Sequence, residues 1–366
     1  MAPPTTRGAA NWAVRQVIAL VEIWALVAQH SGFVGAWRLT GVCKASRAGV
    51  KEWLGTLPGM VIYGWTWSAW NAVVRLDLAT LRWKCMPSLV RTASGCASCS
   101  VRGSLVVLGG NCGTEQYDLT SRVEVLSQVD GTFIDFPPLS CGTIDGAVAI
   151  AVEEGDSAAG QILLLGGVVD DVKDGIYRNG PTSTVYLVDL ATGVCTVQKS
   201  TLLSSRANFA SARMADGRIV CAGGYGEHVG DDSSSSAEVW GPLEQGAKDA
   251  VWTSMQLPTM SVGRHQCCKG VMSDGRFAVL GGTNLDFTPV SSCEALVFGG
   301  DAHWEALPPM HITRADFTCA AVAGCIIVAG GYQSGGEGQS KSVELYDEAS
   351  NRWIQLPCDL PNDDSL

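Results

Sequence analysis

Residues 326–331, Ile-Ile-Val-Ala-Gly-Gly, form a short apolar run that ends in a glycine pair, and this pattern decides the fold. The pattern recurs four more times along the chain, and a reduced copy with a single glycine precedes them all. The other full copies lie at residues 105–110, 162–167, 219–224 and 277–282, and the reduced copy at residues 60–65. An internal period of about 50 residues is typical of an array of identical supersecondary units. The sequence therefore predicts six copies of one structural unit.

Each unit carries the pattern of four β-strands. In most units an arginine precedes the first strand, and an Asp-Gly turn such as Asp216-Gly217 then leads to the apolar strand. A polar loop follows the glycine pair and leads to a third strand, and an aromatic residue such as Trp353 opens the fourth. Four-stranded sheets that bury both faces pack well when they are arranged radially. We therefore expect an all-β, six-bladed propeller.

The composition indicates an acidic, folded protein. Of its residues 46% are apolar and 17% are charged, which allows a large core. The net charge of −11 argues against nucleic acid or an anionic membrane surface as a partner. The apolar run Val17–Ala28 is interrupted by Glu22 and is shorter than the roughly 20 residues of a membrane span. We expect no nucleic-acid partner and no membrane partner.

The cysteines are best interpreted as reduced thiols. The chain has 14 cysteines, and several lie in apolar strands, where a free thiol behaves as a small hydrophobic group. Cys96 and Cys99 form a Cys-x-x-Cys pair, but no second pair follows at zinc-ligand spacing. The pattern predicts a cytoplasmic or nuclear protein without a structural metal.

The repeat resembles the kelch motif in its glycine pair, in the tyrosine that follows some of the pairs, and in the spaced tryptophan. Residues 60–357 resemble a six-bladed kelch propeller. The first unit begins at its glycine-ending strand and lacks the strand before it, so we expect an imperfectly sealed ring or a three-stranded first blade. Residues 358–366 are short and acidic, and they are expected to form a C-terminal tail.

The region before the ring, residues 12–58, has the apolar spacing of short helices, with a break at Ser31-Gly32. It resembles the F-box in Leu39, Val42, Cys43, Lys44 and Arg47. This resemblance implies a helical module that docks on the adaptor of a cullin-type ubiquitin ligase. The residues it assigns to adaptor docking are Val21, Leu26, Phe33, Leu39 and Val42. A helical cap that covers the first blade is an equally good interpretation.

Kelch proteins bind peptides on one face of the ring, and the resemblance implies partner-binding residues at the strand starts and loops. By position these are Arg91, Arg206, Arg264, Arg314, Tyr225 and Tyr332. Converging guanidinium groups would suit a carboxylate-bearing peptide. The alternative is that these arginines brace the blades by binding loop carbonyl groups.

The search for catalytic chemistry gives no candidate. The five histidines are scattered, and none has metal-ligand spacing or a nucleophile beside it. We expect no cofactor, no metal and no enzymatic activity. The favoured function is a ubiquitin-ligase substrate receptor that captures a target protein on the propeller. The alternatives are a kelch interaction scaffold with a helical cap and, third, a sugar- or metal-dependent propeller enzyme.

Overall fold

The computed structural model describes most of the chain and confirms an all-β ring preceded by helices. The described residues are 21–63, 71–91, 94–112, 119–152, 157–173, 176–226, 234–242, 252–335 and 338–361, with the side chains of 170–179 excepted. They form 26 strands in seven antiparallel sheets, six of which are the blades of the ring.

Blades 1 to 3 follow the predicted order along the chain. Blade 1 contains β1 (Val61–Tyr63), β2 (Val73–Asp77) and β3 (Arg82–Met86). Blade 2 contains β4 (Ala97–Val101), β5 (Ser104–Leu108), β6 (Val123–Leu126) and β7 (Phe133–Phe136). Blade 3 contains β9 (Val148–Val152), β10 (Gln161–Leu165), β13 (Val185–Asp189) and β14 (Cys195–Val197). Its loops add a small sheet that the sequence analysis did not predict, made of β8 (Ile144–Asp145), β11 (Val168–Lys173) and β12 (Ile176–Pro181).

Blades 4 to 6 are regular four-stranded meanders. Blade 4 contains β15 (Ala210–Arg213), β16 (Ile219–Ala222), β17 (Ala237–Pro242) and β18 (Trp252–Leu257). Blade 5 contains β19 (Cys268–Val271), β20 (Phe277–Leu280), β21 (Cys293–Val297) and β22 (His303–Leu307). Blade 6 contains β23 (Thr318–Val322), β24 (Cys325–Ala329), β25 (Val343–Asp347) and β26 (Arg352–Leu356).

Six apolar clusters hold the ring together, one between each pair of neighbouring blades. Between blades 4 and 5, for example, Val220 of β16 packs in one cluster with Phe277 of β20. The same arrangement joins blades 1 and 2, 2 and 3, 3 and 4, and 5 and 6. The sixth cluster unites Ile327 of blade 6 with Val74 of blade 1, and so closes the circle.

A recurring tryptophan bond also shows that blade 1 follows blade 6. The indole N–H of Trp304 in blade 5 donates to the carbonyl of Pro258, which lies in the turn that ends blade 4. Trp353 of blade 6 donates in the same way to Pro308. Trp83 of blade 1 donates to Cys358, which follows the last strand of blade 6, at 2.9 Å. The seam, where blade 6 meets blade 1, therefore repeats the tryptophan hydrogen bond that is made between other neighbouring blades.

The glycine pair recurs because the next blade approaches it closely. Gly223 and Gly224 both have positive φ angles, +70° and +91°, where side chains are strained. The N–H of Gly224 donates to the carbonyl of Arg264 at the start of blade 5. A Cβ atom on Gly223 would clash with the carbonyl oxygen of Arg264 in blade 5, and one on Gly224 would lie 2.7 Å from Cβ of Phe209 in its own blade. Glycine is thus needed for both conformation and space.

The helical region packs onto the seam between blades 6 and 1. It contains α1 (Val21–Leu39), which is kinked at Gly32 as the sequence predicted, and α2 (Lys44–Thr56). Phe33 is 2% exposed and lies in the same cluster as Ile327 and Val74. Its N–H donates to the carbonyl of Ala323 in blade 6 at 3.2 Å. No helix in the described part of the chain is long and apolar enough to cross a membrane.

The predicted start of the helical region and the predicted end of the tail both lie outside the described residues, at residues 12–20 and 362–366. The tail was expected to begin at residue 358, but Cys358 and Leu360 are buried against the seam. The N–H of Leu360 also donates to the carbonyl of Lys341. Apolar side chains at 358 and 360 alternate with polar ones, which is why this short segment packs into the ring.

Candidate functional site: the loop face of the ring

Three of the predicted partner-binding arginines are buried inside the blades. Arg206, Arg264 and Arg314 are each 0% exposed. Arg264 donates through Nη1 to the carbonyls of Gly281 and Ser292 and through Nη2 to Glu294 Oε1 at 2.7 Å. The other two make the same bonds to their own blades, with Glu238 and Glu344 as the acidic partners.

These arginines therefore brace the loops and cannot touch a partner. Their assignment to partner binding is corrected, and the alternative interpretation describes them. The physical reason is that each guanidinium group is neutralised by a buried glutamate and satisfied by carbonyl groups. A partner could reach such a group only by disrupting the blade.

Arg91 has a different position from the other three. The β-bridge between Ser94 and Asn111 in blade 2 corresponds to the bridge between Ala207 and Tyr225 in blade 4. By this alignment, Arg91 lies two residues before the position that Arg206 occupies in blade 4. Its side chain is exposed, and its backbone N–H donates to Glu124 Oε1 at 3.2 Å. Burial raises the pKa of Glu124, although bonds from the N–H groups of Val90 and Arg91 act in the opposite direction.

A belt of backbone hydrogen bonds surrounds the mouth of the central channel on the loop face. In this belt the N–H group of one residue donates to the carbonyl of the corresponding residue in the preceding blade, at 2.8–3.0 Å. The donor and acceptor pairs are Gly146 and Gly95, Asn208 and Gly146, Gln266 and Asn208, and Asp316 and Gln266. All five residues have φ between +51° and +66°. Each lies just before the innermost strand of its blade. The belt thus gives blades 2 to 6 one common register around the channel.

The channel holds a cavity of about 400 Å³, and the charged residues among its described lining are Asp316 and Lys269. Asp316 lines this cavity, and burial within the ring raises its pKa. Burial, with the charge of Asp316 as a second cause, raises the pKa of Asp145 to about 6. Oδ1 of Asp145 is buried, has no hydrogen-bond partner among the described residues, and lies against Gly95. The charged groups at the channel are thus of both signs, and the three buried arginines are not among them.

Of the two predicted tyrosines, Tyr332 lines this cavity, whereas Tyr225 is not among its described lining residues. Tyr225 and Tyr332 are half-buried and directly follow their glycine pairs. Tyr225 packs edge-on against His265, with ring centres 6.0 Å apart, and His265 packs in the same way against Phe287. Phe287 is 73% exposed, and Leu285 beside it is 61% exposed. Tyr225, His265 and Phe287 thus form an aromatic rim on the loop face, and Leu285 lies two residues before Phe287.

The loop that carries Phe287 is rigidly built. Oδ1 of Asn284 accepts hydrogen bonds from the N–H groups of Asp286 and Thr288, and the N–H of Phe287 donates to the carbonyl of Asn284. Phe287 itself has φ +55°, a strained conformation for a bulky residue. A strained, exposed aromatic residue on a fixed loop is typical of a binding site.

The sequence analysis missed the belt and the rim. Asn208, Gln266 and Asp316 each lie two residues after a buried arginine, so aligning the repeats on the arginine would have placed them together. Asp145 gives no such signal, because the position that holds the buried arginine in blades 4 to 6 is occupied by Ile144 in blade 3. Phe287 also had no distinguishing pattern in the sequence.

The predicted adaptor-docking residues divide into exposed and buried ones. Leu26 and Val42 are 58% and 59% exposed, and Val21 and Leu39 are half-buried. Phe33 is packed against blades 6 and 1 and is not available to an adaptor, so its assignment to docking is corrected. Within the described residues, no group of three or more acidic, histidine or cysteine side chains could hold a metal.

Comparisons with known proteins agree with the repeat architecture. The Kelch motif family model matches residues 313–358. An F-box/kelch-repeat protein of Arabidopsis thaliana is 30% identical over 121 residues, which are 30% of this chain and 32% of that protein. The match thus spans about a third of the length of that relative. The solved structure of YjhT matches with a TM-score of 0.62 at 13% identity, over 82% of this chain and 97% of that one.

The described residues form a six-bladed β-propeller with helices before the ring, and residues 313–358 match the Kelch motif. At 13% identity the likeness to YjhT shows the fold alone. The expectation that the chain is not an enzyme is overturned by this match. The expectation relied on finding no catalytic set of residues in the sequence, whereas one fold can host both enzymes and scaffolds. We therefore withdraw the exclusion of enzymatic activity.

Proposed function

We propose that the protein captures a partner protein on the loop face of its propeller. The observation that carries this proposal is Phe287, an exposed aromatic side chain held in a strained conformation against His265. Large apolar side chains at the centre of an interface supply much of the binding energy. The neighbouring Leu285, Tyr225 and Tyr332 would extend the contact, and the exposed Arg91 stays a candidate contact on blade 2.

The test compares two exposed apolar positions. Phe287→Ala removes the rim aromatic, and Val129→Ala alters a 98% exposed valine in a turn of blade 2. Affinity purification from cells would identify the partners of the unaltered protein, and binding to the purified partner would then be measured. We expect Phe287→Ala to weaken binding by about tenfold or more and Val129→Ala to leave it unchanged. Equal binding by all three proteins would overturn the proposal.

We further propose that the helices dock on the adaptor of a cullin-type ubiquitin ligase. The support is the F-box-like stretch from Leu39 to Arg47, the partial match to an F-box/kelch-repeat protein, and the exposed apolar side chains of Leu26 and Val42. We expect Val42→Asp to abolish adaptor recovery in an affinity purification while partner capture on the ring persists. Val129→Asp is the matched control. If no adaptor is recovered with the unaltered chain, this proposal fails.

A second candidate function is an interaction scaffold in which the helices serve only as a structural cap. It is favoured by the burial of Phe33, Val50 and Leu54 in one cluster with blades 6 and 1. All 14 cysteines are free, in keeping with the proposed cytoplasmic or nuclear location. The adaptor experiment separates the two functions, because a structural cap predicts that no adaptor is recovered with the unaltered chain or with either variant.

A further inference from the structure

Cys195 of blade 3 occupies the position of the tryptophan that joins other neighbouring blades. In blades 1, 5 and 6 the residue opposite the fourth residue of the third strand is Trp83, Trp304 or Trp353. In blade 3 the residue in this register, opposite Val188, is Cys195. A cysteine has no indole N–H, so this position cannot form the tryptophan hydrogen bond between blades 2 and 3.

A second cysteine lies beside Cys195, in the turn that ends blade 2. The N–H of Ser140 donates to the carbonyl of Gly193 at 2.9 Å, and the N–H of Cys195 donates to Ser140 Oγ at 2.8 Å. These bonds hold the turn of blade 2 against the start of β14. They place Cys141, the residue after Ser140, against Cys195, and both side chains pack on the cluster between blades 2 and 3. We call Cys141 and Cys195 the thiol pair.

The hydrogen bonds of the thiol pair make Cys195 the better nucleophile of the two. The thiol of Cys141 donates to Cys195, and this bond is the largest cause that lowers the pKa of Cys195, to about 6. The N–H of Cys141 and the hydroxyl of Ser140 act in the same direction, whereas burial opposes them. The same thiol–thiol bond raises the pKa of Cys141. A thiolate with a second thiol beside it is typical of cysteines that undergo thiol–disulfide exchange.

The thiol pair is also accessible from the outer surface of the ring. Both sulfur-bearing side chains are half-buried, and the neighbouring Ser140 and Val194 are exposed. A comparable pair, Cys268 and Cys319, lies between the innermost strands of blades 5 and 6. There each thiol donates to a strand carbonyl at 2.8 Å, and Cys268 is 9% exposed. Reagents in solution therefore reach Cys195 more easily.

We propose that Cys195 is a modification site for low-molecular-weight disulfides such as oxidised glutathione, and that Cys141 then converts the modified thiol into a disulfide between blades 2 and 3. This inference goes beyond the proposed function and does not depend on it. The disulfide replaces the missing tryptophan hydrogen bond with a covalent link, and it closes a loop of the chain between residues 141 and 195.

The reaction proceeds in two exchange steps. The sulfur of Cys195 attacks one sulfur of the reagent disulfide, whose S–S bond breaks, and the first reagent thiol leaves with the proton that Cys195 released. The sulfur of Cys141 then attacks Cys195 Sγ, and the second reagent thiol leaves with the proton of Cys141. The two protein thiols lose two electrons, which reduce one reagent disulfide to two thiols. An excess of reduced glutathione reverses both steps.

Mass spectrometry of the purified full chain tests the linkage. The reduced protein is incubated with oxidised glutathione at pH 7 and digested with trypsin without reduction. The tryptic fragments 123–173 and 179–199 each contain one cysteine, Cys141 and Cys195 respectively. We expect these two fragments to become linked. Cys141→Ser should instead retain glutathione on Cys195, and Cys195→Ser should leave Cys141 unmodified.

The rate of alkylation tests the assignment of Cys195 as the nucleophile. With iodoacetamide at pH 7, Cys195 of the unaltered chain should react about tenfold faster than Cys85, which is exposed in blade 1. Ser140→Ala removes a hydroxyl that stabilises the thiolate. It should slow Cys195 several-fold and leave Cys85 unchanged, which a purely structural role of Ser140 would not produce.

Thermal unfolding measures the effect of the link on the ring. The oxidised chain should melt several degrees above the reduced chain, and neither serine variant should show this difference. Glutathione on Cys85 without linkage of fragments 123–173 and 179–199 would overturn the proposal. So would alkylation of Cys195 no faster than that of Cys85. Both results come from the unaltered chain, so they decide the proposal even if a serine variant fails to fold.

Discussion

Arg264 and Glu294 form a buried ion pair of the kind that holds blades 4, 5 and 6 in shape. The guanidinium group also binds two loop carbonyls, so nearly all of its hydrogen-bonding capacity is used within the blade. Removing one partner of such a pair leaves a buried charge without compensation. These residues are therefore expected to govern stability rather than recognition.

We predict that Arg264→Ala lowers the free energy of unfolding by about 3–5 kcal/mol. Arg276→Ala is the matched control in the same blade, because Arg276 makes partly exposed ion pairs with Asp274 and Glu305. Its loss should cost less than about 1 kcal/mol. Urea unfolding of both variants checks the prediction, and equal losses would contradict it.

Asp145 makes stability depend on pH. Its pKa in the folded protein is about 6, raised first by burial and then by Asp316. A carboxyl group with a raised pKa stabilises the fold when it is protonated, so this contribution is present below about pH 4 and is lost as pH rises through 6. We predict that the stability of the wild type relative to Asp145→Asn falls by about 2 kcal/mol between pH 4 and 7. Thermal unfolding across this range measures the difference, and a pH-independent difference would rule out the raised pKa.

At the scale of elements, the helix pair α1–α2 depends on a close approach at Gly49. A Cβ atom there would clash with the carbonyl of Val21 and lie 2.7 Å from Cβ of Trp24. Gly55, one and a half turns further along α2, has open space around it. The two glycines therefore have opposite expected responses to substitution.

We predict that Gly49→Leu separates the helices and lowers the melting temperature by several degrees, because Val50 and Leu54 then leave the shared core. Gly55→Ala should be neutral or stabilising by up to about 1 kcal/mol, since alanine is the better helix former. Differential scanning calorimetry of the two variants provides the measurement. A Gly49→Leu protein as stable as the wild type would mean that the helices do not pack as described.

The elements differ in how well the sequence predicts them. The apolar strands before the glycine pairs and the break at Gly32 follow from local patterns, and both appear in the structure. The hairpin of β11 and β12 was not predicted, because Asp170, Asp171 and Asp174 are typical of a polar loop. Pairing with Ile144–Asp145 extends that hairpin into a sheet, and such a distant partner leaves no local signal.

At the scale of the whole molecule, the repeat predicts the ring but not the chemistry of its mouth. The period of the glycine pairs is sufficient for six blades, and blade 1 has three strands among the described residues, as the absence of a strand pattern before residue 60 predicts. The electrostatic effect of Asp316 on Asp145 depends on ring closure, because these residues belong to blades 6 and 3. The partner-binding arginines were misassigned because the sequence does not show that glutamates of the third strands are buried beside them.

The central claim is that blade 1 follows blade 6 in a closed circle, and two tryptophan substitutions test it most directly. Trp304→Phe removes a bond inside the ring, and Trp83→Phe removes its counterpart at the seam, where both indoles are partly buried. A closed ring predicts that each substitution lowers the free energy of unfolding in urea by a similar amount, about 1 kcal/mol or more. A loss for Trp304→Phe with none for Trp83→Phe would contradict closure.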